Sequence, residues 1–221
     1  MALLHHAELT PSKIELVQEW ARSQPWFQGG ADAELTNVAA FRFDDPDGQV
    51  GVETILVRAG DGPVMQVPLT YRDAPLAGAD EWLIGTLQHS VLGTRWVYDA
   101  VGDPVYLLTV ASTIVAGGRE AEMYFEVDGQ RVPRDPTAVV VGSGMSGVPA
   151  PSLPSVGDVS VRTEGGVSVA ETASLTIVVA RVPAARPQHP ESINTSGTAG
   201  TLTGTWPGQS NPQSFVSAFP R

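Results

Sequence analysis

VPLTYRDAPLAGADEWLIGTLQHSVLGTRWVYDAVGDPVY, residues 67–106, gathers Tyr71, Arg72, Asp73, Trp82, His89, Arg95, Trp96, Tyr98 and Asp103 into forty positions. These are the residue types of an active site or a recognition surface. Imidazole titrates near neutrality, so His89 has the chemistry of a general base. It has no nucleophile in register, because Ser90 is its immediate neighbour and points elsewhere on a helix. A surface or partner contact is the better reading. Trp82, Trp96 and Tyr98 have the shape to stack on a sugar ring, although aromatic residues in a sheet are more often core. Arg72 and Arg95 are fitted to clamp an anion, or more simply to pair with Asp73, Asp99 or Asp103.

Other candidate motifs carry less. Asp44, Asp45 and Asp47 lack the ligand pattern of a calcium loop, which ends in a bidentate Glu, and read as a turn. Asp80 and Glu81 sit where a helix N-terminus favours negative charge. GSGMSG, residues 142–147, runs into VPAPSLP rather than into a helix, so it reads as a flexible loop and not as a phosphate cradle. No metal or cofactor site emerges.

Composition narrows the classes further. The chain has 221 residues, a net charge of −11 and no cysteine, and Lys13 is its sole lysine. Thiolate chemistry and zinc–sulfur sites are excluded. Cations are too sparse to release counterions from nucleic acid, and an acidic surface repels anionic membranes. The first ten residues lack a basic, apolar leader, and the longest apolar run is too short to span a bilayer. The expectation is a cytoplasmic protein with neither nucleic acid nor membrane as partner.

The elements that must position these residues are legible in part. PSKIELVQEWARSQ, residues 11–24, has apolar residues at helical spacing, with a capping box from Ser12 and Glu15 or a cap from Thr10. An antiparallel meander follows: LTNVAAFRF, the turn DDPDG, VGVETILVR, the turn AGDG, and PVMQVPLTYR. Residues 81–92 show a helical stripe of Leu83, Ile84, Leu87 and Val91, with Asp80 as N-cap and Gly93 as C-cap. TRWVYD alternates like a strand, and Gly102-Asp103-Pro104 turns it into VYLLTVASTIVA. Beyond that lie strand signals at AEMYFEV, TAVVV, VGDVSVRT, SLTIVVARV, TLTGTW and SFVSAF, broken by Gly/Pro-rich connectors at 142–155 and 182–191.

The stretch from about His5 to Tyr106 resembles the N-terminal cap domain of maltokinases and related sugar kinases. WFQGG (26–30), FRFDDPDGQVGVETILVR (41–58), and then VPLTYRDAPL, LIGTLQHSVLGTRWVYDA and DPVY follow the order of the family's elements. The resemblance implies a cap of cystatin or monellin type, a helix against a curved antiparallel sheet. In those kinases the cap precedes a catalytic region of the aminoglycoside-phosphotransferase type. That chemistry needs an Asp base in a His-Gly-Asp-like loop and a later Asp for magnesium. The histidines here are His5, His6, His89 and His189, and none opens such a loop; no Walker A sequence is present, and Gly29-Gly30 stands where the family often has Gly-Lys.

The reading is therefore an α+β protein: a cap-like domain over 1–106, then a β-rich region over 107–221 packed with or extending the first sheet. It is expected to be non-catalytic, without cofactor, and to act as a regulatory or interaction partner of another protein, an enzyme of α-glucan, maltose or trehalose metabolism. The contact surface is expected at Tyr71, Arg72, His89, Arg95, Trp96, Tyr98 and Asp103. The alternative is a small-ligand or oligosaccharide-binding module, which predicts a concave pocket with converging polar groups instead of an exposed apolar patch.

Overall fold

Ser12 Oγ accepts a hydrogen bond from the Glu15 backbone N–H, and the Glu15 carboxylate accepts one from the Ser12 backbone N–H, so the capping box starts helix α1 at Lys13–Ala21 in the computed structural model. The structure describes residues 2–4, 7–30, 32–127, 129–145, 154–188, 190 and 200–221. Two short strands, β1 (Ala2–Leu4) and β2 (Leu9–Thr10), precede the helix. The meander follows as β3 (Leu35–Phe43), β4 (Gly51–Ala59) and β5 (Val64–Arg72), then the hairpin β6 (Leu83–His89) and β7 (Gly93–Asp99). Helix α2 spans Pro104–Ala116. The remainder is β8 (Met123–Val127), β9 (Gln130–Arg134), β10 (Val139–Gly142), β11 (Ser160–Glu164), β12 (Val167–Glu171), β13 (Leu175–Ala184), β14 (Gly200–Trp206) and β15 (Gln209–Pro220).

Two six-stranded antiparallel sheets dominate. The cap sheet has the order β2-β6-β7-β5-β4-β3, and the second sheet β10-β14-β15-β13-β12-β11; a small third sheet is β1-β8-β9. One face of the cap sheet packs on α1 through Val17, Ala21, Ile55, Val57, Met65, Val67, Leu69, Leu87 and Val97. The opposite face, with Phe41, Phe43 and Leu56, meets Leu107, Val110 and Ile114 of α2 and Ile177, Val179, Leu202 and Phe215 of the second sheet. Phe41 sits at the join, edge-on to both Phe43 and Phe215 at 5.5 and 5.6 Å. This double cover explains why β4 and β5 are buried nearly throughout, since a strand covered on both faces does not alternate between core and solvent. In β3 the register slips between Asn37 and Ala39, so Leu35 serves the α1 core while Ala39, Phe41 and Phe43 serve the other.

Sheet edges are closed by the segment between α2 and β10. Ala121 N–H donates to the Arg42 carbonyl and Ala138 N–H to the Ala40 carbonyl along β3. Glu120 accepts from the Val140 N–H, and Gly118 from the Gly142 N–H, along β10. The same short segment therefore stitches both sheets, and unpaired edges are avoided there.

Three expectations are corrected. Residues 81–92 are not a helix but a single turn of 3-10 helix at Asp80–Trp82 followed by β6 and the hairpin turn. Gly85 and Thr86 interrupt the helical stripe with weak helix formers, and Val91 is 56% exposed rather than buried. Gly93 takes φ of 75° as a hairpin residue, and Asp80 makes no capping hydrogen bond. VYLLTVASTIVA opens the region expected to be β-rich, yet it is α2: Asp103 caps it, Pro104 begins it and Gly117, in the left-handed region, ends it. Finally, residues 142–145 of the supposed flexible loop are seated on the last turn of α2, where a Cβ on Gly142 or Gly144 would collide with backbone of Thr113, Ile114 or Val115. Residues 146–153 of that loop lie outside the described residues.

Candidate functional site

Asp103 is the hub of the 67–106 run. Its buried carboxylate accepts from Thr70 Oγ1 (2.7 Å), from Arg72 Nε (2.8 Å) and Nη2 (2.7 Å), and from the Val105 N–H (3.0 Å). The fork of Arg72 is bidentate, the strongest form of such a pair. Arg72 thus takes the partner that sequence reasoning named as the simpler outcome, and its guanidinium is not left to clamp a free anion. The hub ties β5 to the N-terminus of α2.

Trp96 faces Arg72 across the β5–β7 ladder and Thr86 across the β6–β7 ladder, half-buried. Tyr98 opposes Thr70 in the same ladder; it is buried, and its hydroxyl accepts from the Leu76 N–H at 2.8 Å. Trp82 lies flat against Gly102, where any side chain would displace it. Of the three aromatic residues considered for sugar stacking, Trp82 and Tyr98 are scaffold.

Tyr71 lies on the opposite face, toward α1. Its hydroxyl donates to Glu53 Oε2 at 2.8 Å, and Lys13 Nζ reaches the same oxygen at 2.6 Å while lying 5.3 Å from the Tyr71 ring centre. Burial alone would raise the Glu53 carboxyl, but the charges of Lys13 and Arg42 and the hydrogen bonds from Lys13 and Tyr71 outweigh it and hold the group at about 2. Burial, with the Glu53 charge added, pushes the Tyr71 phenol well above its ordinary value. The trio staples the start of α1 to the sheet.

His89 and Arg95 meet at the hairpin tip, away from both clusters. His89 Nδ1 accepts from the Val91 N–H (3.2 Å) and the Leu92 N–H (3.0 Å), and Arg95 Nη2 donates to the Leu92 carbonyl at 2.7 Å. Gln88 and Thr94 exchange side-chain hydrogen bonds just below. His89 is therefore the keeper of a turn, and not a residue on the open side of a helix. The tip exposes Val91 and Leu92, at 56% and 44%.

The seven candidate residues accordingly fall into three places. Sequence reasoning missed the half-buried Lys13 and three buried polar residues, Glu53, Gln66 and Arg181. The signal available was a lone polar residue inside an apolar strand, as in VGVETILVR, PVMQVPLTYR and SLTIVVARV. Arg181 pairs with Asp99 at 2.6 Å, both buried, and joins the second sheet to the end of β7.

Among the described residues no group of three His, Asp or Glu side chains is placed to hold a metal ion. A shallow groove of ≈ 390 Å³ is lined by Phe43, Asp44, Thr109, Thr113, Arg119 and Glu120–Glu122. Its Glu120 is engaged by the Val140 N–H, and its threonine hydroxyls Thr109 and Thr113 donate to helix carbonyls. No described helix is long and apolar enough to cross a membrane. No curated protein matches the chain. Most of the ordered pieces that first suggested a family lie in one sheet, with WFQGG in the loop after α1 and DPVY at the start of α2, and residues 20–103 of the chain match the family model of the maltokinase N-terminal cap domain.

Proposed function

We propose that this protein is a non-catalytic interaction module built on a cap of cystatin type, and that it binds another protein through the tip of the β6–β7 hairpin. One observation carries the reading: Val91 and Leu92 stand exposed side by side on a turn that His89 and Arg95 hold from beneath. An apolar pair displayed on a stiffened turn loses little freedom on docking, and central apolar anchors dominate interface energetics. The partner is an enzyme of maltose, trehalose or α-glucan metabolism in the cytoplasm; that context rests on the family match alone, and a shared fold does not by itself carry function.

A partner is identified by pull-down from the native extract, and the purified pair is then titrated with the Val91→Asp/Leu92→Asp variant. The expected result is at least a ten-fold loss of affinity with an unchanged melting temperature. Unaltered affinity refutes the tip. The non-catalytic half has its own test: ATP, magnesium and maltose incubated with the protein yield no sugar phosphate above buffer. Turnover abolished by one point substitution would overturn it.

A further inference from the structure

His89 holds the turn at the tip of the β6–β7 hairpin through one ring nitrogen. Its Nδ1 accepts from the Val91 N–H at 3.2 Å and from the Leu92 N–H at 3.0 Å. A nitrogen that accepts two such bonds presents a lone pair, so Nδ1 carries no proton and the neutral ring bears its proton on Nε2. Protonation places a hydrogen on Nδ1 and sets three donors against one another. The Leu92 carbonyl receives Arg95 Nη2 at 2.7 Å, so a new donor that turned there would meet a cation.

The charges around the ring agree with this direction. Strand β7 contributes the Arg95 guanidinium, which disfavours an imidazolium in the same turn. Beside β2 stands Glu8, whose backbone exchanges hydrogen bonds with Ser90 and whose side chain is exposed. Helix α1, which also packs on β6, carries Lys13, held by Glu53, and the exposed Glu15 and Glu19. Carboxylates standing in solvent are screened, so the two hydrogen bonds to Nδ1 and the Arg95 charge decide the sign. We propose that the tip is a proton-gated surface: neutral His89 keeps Val91 and Leu92 displayed in one fixed turn, and protonation of the ring lets that turn go. The ring's contribution is present at the alkaline end and lost as pH falls through the titration of imidazole. Ser90 stays tied to Glu8 and His89 stays paired with Gly93, so the release is confined to the two apolar residues. The gate rests on the reading of the tip as the docking surface and supplies its regulation.

Nitrogen-15 NMR of the full chain, titrated from about pH 8 to about pH 5, tests the gate. At the alkaline end the His89 ring is expected as the Nε2–H tautomer, with the Val91 and Leu92 amide protons shifted as hydrogen-bonded donors. On acidification both amides are expected to move toward disordered-chain positions, and their heteronuclear NOE to fall, along the same curve as the ring. A proton on Nδ1 at the alkaline end, or amides that do not follow the ring, overturns the proposal. His5, His6 and His189 carry imidazoles too, and His89→Asn separates them, because an Asn oxygen accepts from the amide two residues on and gains no proton in this range. The pH response of Val91 and Leu92 is expected to vanish in that variant, and a response that survives in it overturns the gate. Every reading is taken on the free chain, so failure of the gate is distinct from failure of docking, which the Val91→Asp/Leu92→Asp titration detects.

Discussion

Asp103 accepts hydrogen bonds from a strand threonine, a strand arginine and a helix N–H, so three structural roles depend on one carboxylate. Asp103→Ala strands the Arg72 charge and removes the cap of α2, and the expected loss is about 3–5 kcal/mol, the range for breaking one side of a buried pair. Urea denaturation measures it, and a loss below about 1 kcal/mol would show that Arg72 finds other company. Glu53 gives a prediction in pH. Its folded value of about 2 lies below that of an unfolded glutamate, roughly 4.3, so the carboxylate favours the folded state above the unfolded value. That contribution, roughly 3 kcal/mol at 1.36 kcal/mol per unit, fades as pH falls from about 4.3 through about 2. Glu53→Gln is expected to flatten the stability–pH curve in that window, as followed by urea midpoints at successive pH values. An identical slope in both proteins would refute the assignment.

At the level of elements, α1 and the antiparallel meander were legible because their signals are local: a capping box, Asp-Pro-Asp-Gly and Gly-Asp-Gly turns, and apolar runs of strand length. The hairpin of β6 and β7 was not, because Leu83, Ile84, Leu87 and Val91 fit a helical period by accident while pairing with β2 and β7 decided the outcome. Helix α2 had its signals in plain view, Asp103-Pro104 at one end and Gly117 at the other, with Leu107, Val110, Ala111 and Ile114 at helical spacing between them. Residue types pointed to Arg72 with Asp103, but the grouping of Tyr71 with Glu53 and Lys13 depends on which sheet face each occupies, and the α1 face is set by the fold. The last turn of α2 also makes a quantitative prediction. A methyl group at Gly142 meets the Thr113 carbonyl and the backbone of Ile114, so Gly142→Ala is expected to cost about 1–3 kcal/mol by overpacking. Thermal melts check this, and a neutral result would mean that β10 yields without penalty.

Across the whole molecule, the cap sheet is covered on one face by α1 and on the other by α2 and the second sheet, with Phe41 touching Phe215 across the join. A chain ended after Tyr106 exposes Phe41, Phe43 and Leu56 together. Such a fragment is expected to lack a cooperative thermal transition, whereas the full chain melts in one step; calorimetry separates the two outcomes, and a sharply melting fragment would establish an independent cap. The same layering has a consequence for motion. The amides through which β4 and β5 pair with each other lie beneath protein on both sides, so local fraying gives solvent no route to them. Their exchange with deuterium is governed by opening of the entire molecule, and their protection is expected to be nearly uniform and equal to the global unfolding free energy. At the hairpin tip the Val91 and Leu92 amides are held by the His89 ring alone, with no layer of protein over them, so they are expected to exchange orders of magnitude sooner while the centre of the sheet stays shut.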